Sequence, residues 1–260
     1  MADPMHQFQV EKLFDLPTVN LPLVGAIDLS ITNSSLAMAV AAGLVILFFT
    51  FVTASPKVVP GRLQVVGEGV FSFIDDLAVS IIGKEGRAFF PFVFTLFLFI
   101  LAMNFLGLFL VFTATSQLAV TVTFGLMTIA LVVVVGLIRN GLGFFKLFLP
   151  SGVPWYLWWL VVPIEVISFV LRPVTLALRL FGNMLGGHVA LKVFAGFVIS
   201  LGALAAGGGL GLLAIPAAIL SLGGVVALTA LEFLVAFLQA FVFAVLTCVY
   251  LNDAVHAGHH

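Results

Sequence analysis

Apolar stretches long enough to cross a lipid bilayer follow one another along most of this 260-residue chain. The hydrocarbon core of a bilayer is about 30 Å thick, and a helix of about 20 apolar residues crosses it. Charged residues make up 8% of the chain, whereas soluble domains carry about 25%, so the chain has too few of them to cover a water-facing surface. The sequence therefore predicts an all-α membrane protein with about five or six helices in a lipid bilayer.

The apolar runs divide the chain into an N-terminal segment, residues 1–32, and a single membrane domain, residues 33–260. Three spans are predicted, over residues 33–55, 88–112 and 117–138, of which the second and third form a helical hairpin. Between the first two spans, polar and apolar residues recur at helical spacing over residues 62–83. This pattern predicts an amphipathic helix that lies on the membrane surface or on a neighbouring helix.

Two long helices are predicted in the last hundred residues, over 163–200 and 212–251, with a glycine-rich stretch at 207–211 between them. Each would be about 55 Å long at 1.5 Å per residue. That length exceeds the hydrocarbon thickness, so such helices must tilt strongly, kink or break. Pro173 is placed to kink the first of them.

The distribution of basic residues predicts an orientation, because cytoplasmic loops carry an excess of lysine and arginine. The loops after the first and third spans are basic, and the turn between the second and third spans has no lysine or arginine. The N-terminus is therefore expected outside and the basic loops inside. No basic run is present that would neutralise the phosphates of a nucleic acid.

Ionisable residues recur in the first long helix, where a simple membrane anchor would not keep them. Glu165, Arg172 and Arg179 follow one another at steps of seven, which places them within about 40° on one stripe. Asn183 follows Arg179 by one turn, whereas His188, nine residues on, faces the opposite side. Polar groups on two faces suit a protein with two separate polar cavities.

In the second long helix, Glu232 and Gln239 are seven residues apart and share one face. A charge at the membrane centre costs about 2.5 to 3.5 kcal/mol on insertion scales, so it persists mainly beside a wet cavity or a partner. Structural alternatives exist, since Glu165 and Arg172 could form a buried ion pair and Gln239 a simple interhelical hydrogen bond. Arg179 is different, because no acid lies within four positions of it. We expect a buried arginine whose counter-charge comes from another helix or another chain.

The protonation chemistry of these side chains favours gated proton transfer. Arginine has a pKa above about 12 and stays charged in a site of low dielectric constant, so Arg179 can hold a carboxylate ionised without passing on a proton. Histidine titrates near neutral pH and can relay protons, which His188 could do together with the carboxyl group of Glu232. A permanent cation flanked by two titratable groups is a suitable arrangement for this task.

The segment Leu178-Arg179-Leu180-Phe181-Gly182-Asn183-Met184, followed by Gly187-His188, resembles the signature of the a subunits of F-type ATP synthases. The resemblance covers nearly the whole chain from about residue 30. Further residues that fit the family are Asn104 in Met103–Gly107, Glu165, Arg172-Pro173, Glu232 in Leu231–Phe233, Gln239-Ala240 and Tyr250-Leu251.

The resemblance implies a stator subunit in which two long tilted helices pack against a ring of c subunits, each carrying one essential carboxylate. Protons enter through one half-channel and leave through another, with Arg179 between them as a barrier. His188, Glu232, Asn183 and Gln239 are then proton-path candidates, while Glu165, Arg172, Asn104 and Tyr250 are weaker ones. The implied partners are the c ring, b-type peripheral stalk subunits and the rest of the F1Fo complex.

The residue types at 188 and 232 bear on the source and location of the chain. Many bacterial members have glutamate and histidine at these two positions, whereas this chain has the exchanged pair His188 and Glu232, as mitochondrial a subunits do. The exchange suggests that the two side chains meet across the helices. It implies an alphaproteobacterial source, and the family implies a multi-pass protein of the bacterial inner membrane. With the basic loops inside, the N-terminus is expected in the periplasm and the C-terminus in the cytoplasm.

No cofactor or metal is expected, and no glycine-rich loop followed by Lys-Ser or Lys-Thr suggests nucleotide binding. Two alternatives to the stator hypothesis are a self-contained secondary transporter with an ionisable site at the midplane and a non-conducting membrane scaffold. Secondary transporters often show two matching halves, and no such repeat is evident in this chain.

Overall fold

The computed structural model describes residues 10–15, 19–21, 25–27, 30–54, 57–109, 113–148, 155–208 and 213–256. Within these residues the chain forms six α-helices: α1 (Asn33–Thr53), α2 (Arg62–Ile82), α3 (Gly86–Phe109), α4 (Leu118–Asn140), α5 (Trp158–Ala206) and α6 (Ile215–His256). All of these helices except α2 are long and apolar enough to cross a membrane, with a mean hydropathy of 2.1 to 2.6 in their most apolar windows. The prediction of an all-α membrane protein is therefore confirmed.

The helix bounds differ most from the predicted ones in α5, which begins at Trp158 and has 49 residues. Pro163 and Pro173 both lie inside it. The helix ends where Gly208 adopts a φ of 71°, a left-handed conformation that glycine takes without steric cost. The predicted ends of two spans, residues 55 and 110–112, and part of the glycine-rich stretch, residues 209–211, lie outside the described residues.

Short strands precede the helices, a feature that the sequence did not predict. Strand β1 (Lys12–Phe14) pairs antiparallel with β4 (Ile31–Thr32), and β2 (Val19–Leu21) pairs antiparallel with β3 (Gly25–Ile27). The amide of Glu11 donates to the side chain of Asn33 at 3.3 Å, and the Asn33 amide donates to the Glu11 carbonyl at 3.1 Å. These bonds attach the described part of the N-terminal segment to the start of α1. Its remaining residues, 1–9, 16–18, 22–24 and 28–29, lie outside the described part.

Helix α2 has the predicted polar and apolar faces, and its buried stripe combines small residues with isoleucines. Its buried stripe consists of Gly67, Ile74, Ala78 and Ile82, while larger apolar side chains such as Leu63 remain exposed. A Cβ added at Gly67 would lie 2.7 Å from a methyl carbon of Val52 on α1. The absence of a side chain at position 67 therefore lets α1 and α2 approach each other closely.

Two compact units divide the chain. The first takes the described residues of 1–41, 103–117 and 181–238, and the second those of 42–102, 118–180 and 239–260. In the second unit, helices α4 and α5 meet where a Cβ on Gly125 would lie 2.8 Å from the carbonyl oxygen of Pro173. In the first, Phe105 and Phe109 of α3 pack on Phe233 of α6, with ring centroids 5.9 and 5.7 Å apart.

Candidate functional site

The residues singled out from the sequence fall into both units. The first unit holds Asn104, Asn183, His188 and Glu232, and the second holds Glu165, Arg172, Arg179, Gln239 and Tyr250.

Glu232 is the most deeply buried ionisable residue of the first group, with 7% of its surface exposed. Its carboxylate on α6 lies against the backbone of Gly187 on α5, where an added Cβ would be 3.1 Å from the Glu232 carboxyl carbon and closer still to one oxygen. Neither carboxylate oxygen has a hydrogen-bond partner among the described residues. The Glu232 carboxylate is thus not half of an ion pair among the described residues.

His188 follows Gly187 on α5 and is half-buried. Its Nε2 lies 3.0 Å from Oγ1 of Thr113, a residue with 1% of its surface exposed. The Thr113 hydroxyl is also 3.3 Å from the carbonyl oxygen of Gly107 in the last turn of α3. The sequence analysis does not identify Thr113, because the turn that contains it is notable there only for its lack of charge. Several hydroxyl groups between two apolar spans were the signal that could have identified it.

Asn104 is fully buried on α3, and its amide donates to the carbonyl oxygen of Ala236 on α6 at 3.1 Å. Ala236 lies one turn beyond Glu232, so this bond helps to fix the register of α3 against the helix that carries the carboxylate. The Asn104 Oδ1 atom is buried without a partner among the described residues. Asn104 therefore positions α6 and also supplies a polar atom to the interior of the first unit.

Asn183 is exposed on α5. The glycines at 182 and 186 are also exposed, and a Cβ added at either would meet no atom within 4 Å. Asn183 therefore has exposed backbone without side chains beside it at these two positions.

Arg179 is exposed on the surface of the chain, so the expectation of a buried arginine was wrong for the chain by itself. Leu176, Ala177 and Leu180 are the buried neighbours on α5, whereas Leu178 is 49% exposed. No ion pair to Arg179 is formed within the part of the chain that the structure describes. A mostly apolar helix can bury its apolar stripe and leave the charged one facing outward. A counter-charge from another chain fits this placement.

Arg172 forms an ion pair with Asp253 near the end of α6, at 3.1 Å. Its guanidinium also lies 5.1 Å from the ring centroid of Tyr250 and 5.7 Å from that of Phe169. The suggested pairing with Glu165 is therefore replaced by one with Asp253. Arg172 joins α5 to α6 through the ion pair with Asp253 and the cation–π contact with Tyr250.

Glu165 and Gln239 are half-buried. Among the described residues, neither forms an ion pair or a side-chain hydrogen bond. The interhelical hydrogen bond suggested for Gln239 is thus not formed within the described chain.

Comparison with known proteins identifies close relatives over the full length of the chain. A sequence model of the family described as ATP synthase A chain matches residues 35–252. A protein named ATP synthase subunit a from Hyphomonas neptunium is 53% identical over 259 residues, covering 99% of this chain and 98% of the relative. Proteins of the same name from Rhizobium johnstonii and Rhodopseudomonas palustris are each 51% identical to this chain. The first match covers 100% of this chain and the second 99%, and each covers 99% of the relative.

Proposed function

The chain belongs to the ATP synthase A chain family, and on this premise we propose that it forms two proton half-channels and passes protons to and from the carboxylates of a c ring. It is a multi-pass membrane protein and the proton-translocating subunit of Fo, not the nucleotide-binding part of the enzyme. Proton flow through the two half-channels turns the ring against this stator. The membrane potential supplies about 2.3 kcal/mol per proton for each 100 mV.

The observation that carries the proposal is the exposed Arg179 on a helix face with apolar neighbours such as Leu178. Within the described chain no acid pairs with it, and an arginine stays charged at any physiological pH. Such a charge is costly in hydrocarbon, so it needs a counter-charge from outside the chain. A ring carboxylate that moves past Arg179 supplies that counter-charge, stays ionised while it passes, and cannot receive a proton directly from the other half-channel.

His188 and Glu232 form the proton path on the external side in this proposal. Glu232 is buried without a hydrogen-bond donor among the described residues, and His188 lies beside the glycine on which that carboxylate rests. Imidazole and carboxyl groups are the side chains that most often bind and release protons in proteins. Asn183 lies one turn from Arg179 and, with Gln239, supplies hydrogen bonds to the path. Asn104 contributes a buried oxygen and the packing described above.

Arg172 and Tyr250 act as structural supports that join α5 to the last turns of α6. Glu165, on the same helix as Arg172, remains a weaker candidate for the path. The c ring packs against α5 and α6, and b-type stalk subunits hold the chain stationary. Residues 1–32 lie on the periplasmic side of the bacterial inner membrane, and the C-terminus lies in the cytoplasm.

Replacement of Arg179 tests the proposal. In inverted membrane vesicles, Arg179→Ala should reduce ATP-driven proton pumping, followed with a pH-sensitive dye, to background. The physical reason is that the passing carboxylate loses the cation that keeps it ionised. The amount of F1 bound to the membranes should stay at the wild-type level, which shows that the complex assembles.

Thr175→Ala is the matched control, because Thr175 is exposed one turn before Arg179 on α5. This variant should retain most of the pumping activity. Substantial pumping by Arg179→Ala in assembled complexes would refute the role of Arg179. A self-contained secondary transporter would instead transport its substrate after purification as a single chain in liposomes, an outcome that a stator subunit would not give.

A further inference from the structure

The hydroxyl group of Thr113 differs in its contacts from most other threonine hydroxyls of the chain. Thr50, Thr95, Thr229 and Thr247 each donate to a carbonyl oxygen four residues earlier in their own helix, a common arrangement with only local consequences. Thr113 donates to the carbonyl oxygen of Gly107, six residues earlier, and its hydroxyl also lies 3.0 Å from the ring nitrogen of His188, 75 residues away. This contact joins the turn before α4 to a titratable side chain of α5.

Hydrogen-bond accounting fixes the direction of this contact. A threonine hydroxyl has one proton to donate, and Gly107 offers a carbonyl oxygen at 3.3 Å in the last turn of α3. The geometry of this contact is that of a bond from the hydroxyl to the carbonyl, so this oxygen takes the hydroxyl proton. Thr113 Oγ1 then accepts from His188, which places a proton on Nε2 and makes Nδ1 the basic nitrogen of the neutral ring.

The backbone around Thr113 holds the hydroxyl group in place. The Thr113 carbonyl accepts from the Ser116 amide at 3.1 Å and from the Ser116 hydroxyl at 2.6 Å. Gly107 leaves the space that the threonine occupies, since a Cβ on Gly107 would lie 2.9 Å from Thr113 Oγ1 and 3.0 Å from its Cβ. A small residue at 107 and a hydroxyl residue at 113 are therefore both needed for the contact with His188.

We propose that Thr113 is a positioning residue for proton transfer, which orients the His188 ring and keeps its exchangeable proton site at Nδ1. This inference rests on the proposed function, because it assigns a partner to a residue of the proton path. Charged groups near the ring are Lys192, one turn further along α5, and Glu232, whose carboxylate rests on Gly187. Thr113 itself does not exchange protons with the path.

The test compares two substitutions that separate the hydroxyl group from the shape of the side chain. Thr113→Val keeps the branched shape and removes the hydroxyl, whereas Thr113→Ser keeps the hydroxyl and removes a methyl group. The variants are assembled in the whole complex, F1 is then removed, and proton flux through the remaining membrane part is measured in vesicles at a fixed membrane potential. We expect about a five- to tenfold lower flux for Thr113→Val and a flux within about twofold of wild type for Thr113→Ser, the size expected for one hydrogen bond.

Thr247→Val and Thr247→Ser serve as the matched controls, since Thr247 is equally buried and its hydroxyl bonds to a carbonyl of its own helix. Both should conduct at the wild-type rate. A Thr113→Ser variant as impaired as Thr113→Val would mean that only packing matters, and the inference would fail. It would also fail if His188→Ala reduced the flux less than Thr113→Val, because a residue that acts through His188 cannot contribute more than His188 itself. If the Thr113 inference failed while Arg179→Ala lost proton pumping as expected, the proposed function would still stand.

Discussion

Gly187 is required for the position of the Glu232 carboxylate, because the carboxylate fills the space of the missing side chain. The sequence suggested that positions 188 and 232 meet across the helices. The structure brings Glu232 against residue 187, directly before His188. The distinction could not be made from spacing, because residues 187 and 188 differ by about 100° around a helix and only packing selects between them.

Gly187→Ala should lower proton flux about tenfold, because the added methyl group must displace the carboxylate of Glu232 in a close-packed site. Proton flux through F1-depleted vesicles measures the effect. Gly196→Ala is the control, since a Cβ there meets nothing within 4 Å, and it should conduct normally.

Glu232→Gln keeps the shape of the side chain but loses the exchangeable proton of a carboxyl group. It should slow the flux at least as much as Gly187→Ala. Unchanged flux in Glu232→Gln would remove Glu232 from the path.

Arg179 illustrates what residue-level reasoning from the sequence can and cannot provide. Its chemistry, a permanent cation without an acid nearby on the same helix, could be predicted from the sequence. Its exposure could not, because the apolar neighbours Leu178 and Leu180 are both candidates for the packed face. In the structure Leu180 is 1% exposed and Leu178 is 49% exposed, which decides the direction in which Arg179 points.

At the scale of helices, the end of α6 is joined to two other helices of the second unit. Asp253 pairs with Arg172 of α5, whose guanidinium also stacks on Tyr250. One residue further, the carbonyl oxygen of Ala254 accepts a hydrogen bond from the side chain of Asn140 at the end of α4. These contacts hold the long helices at one end.

Asp253→Asn should weaken this junction, because Arg172 loses its counter-charge while the shape of the side chain is kept. The pair is partly exposed, with 25% and 34% of the two side chains accessible, so the loss should be about 1 kcal/mol. The expected result is that the chain dissociates from the detergent-solubilised complex at a lower temperature than in wild type, measured by heating followed by native electrophoresis.

His256→Ala is the control for this substitution, because His256 is exposed at the same end of α6. Among the described residues, the His256 ring bonds only to the carbonyl oxygen of Asn252, at 3.1 Å, one turn earlier in the same helix. The control should dissociate at the wild-type temperature. Equal stability of the Asp253→Asn and His256→Ala variants would show that the ion pair contributes nothing.

The existence and order of the helices could be predicted from the sequence because long apolar runs and glycine-rich breaks identify them. The start of α5 could not. The predicted helix begins at Pro163, whereas the apolar residues from Trp158 onward continue α5 on its N-terminal side. The strands before α1 have only two or three residues each, too few for an alternating pattern to be recognised.

At the scale of the whole molecule, large apolar side chains are exposed on most of the described helices. On α1 they include Leu44, Ile46, Leu47 and Phe51, with 49 to 71% of each residue exposed. Apolar exposure of this extent is expected of a protein that lipid surrounds. It does not distinguish a surface that faces lipid from one that faces another apolar protein, so composition alone could not locate the surface for the c ring.

The charged stripe of α5 makes that distinction, because a surface that carries Arg179 is unsuited to lipid tails. Thr175 lies one turn before Arg179 and is exposed, whereas the adjacent Leu176 is 3% exposed. A cysteine at 175 should therefore cross-link to a small hairpin protein of the c type in native membranes, and a cysteine at 176 should not. The cross-linked products are identified by mass spectrometry after denaturing electrophoresis.

The native Cys248 contributes little background, since it is the single cysteine of the chain and is buried. Equal cross-linking from 175 and 176 would show that the reaction does not report the exposed face. Capture of lipid-facing neighbours from 175, with no c-type protein among them, would place the ring on another surface and leave Arg179 without its proposed counter-charge. A c-type product from 175 alone would place the ring against the helix face that carries Arg179, as a moving carboxylate paired with this arginine requires.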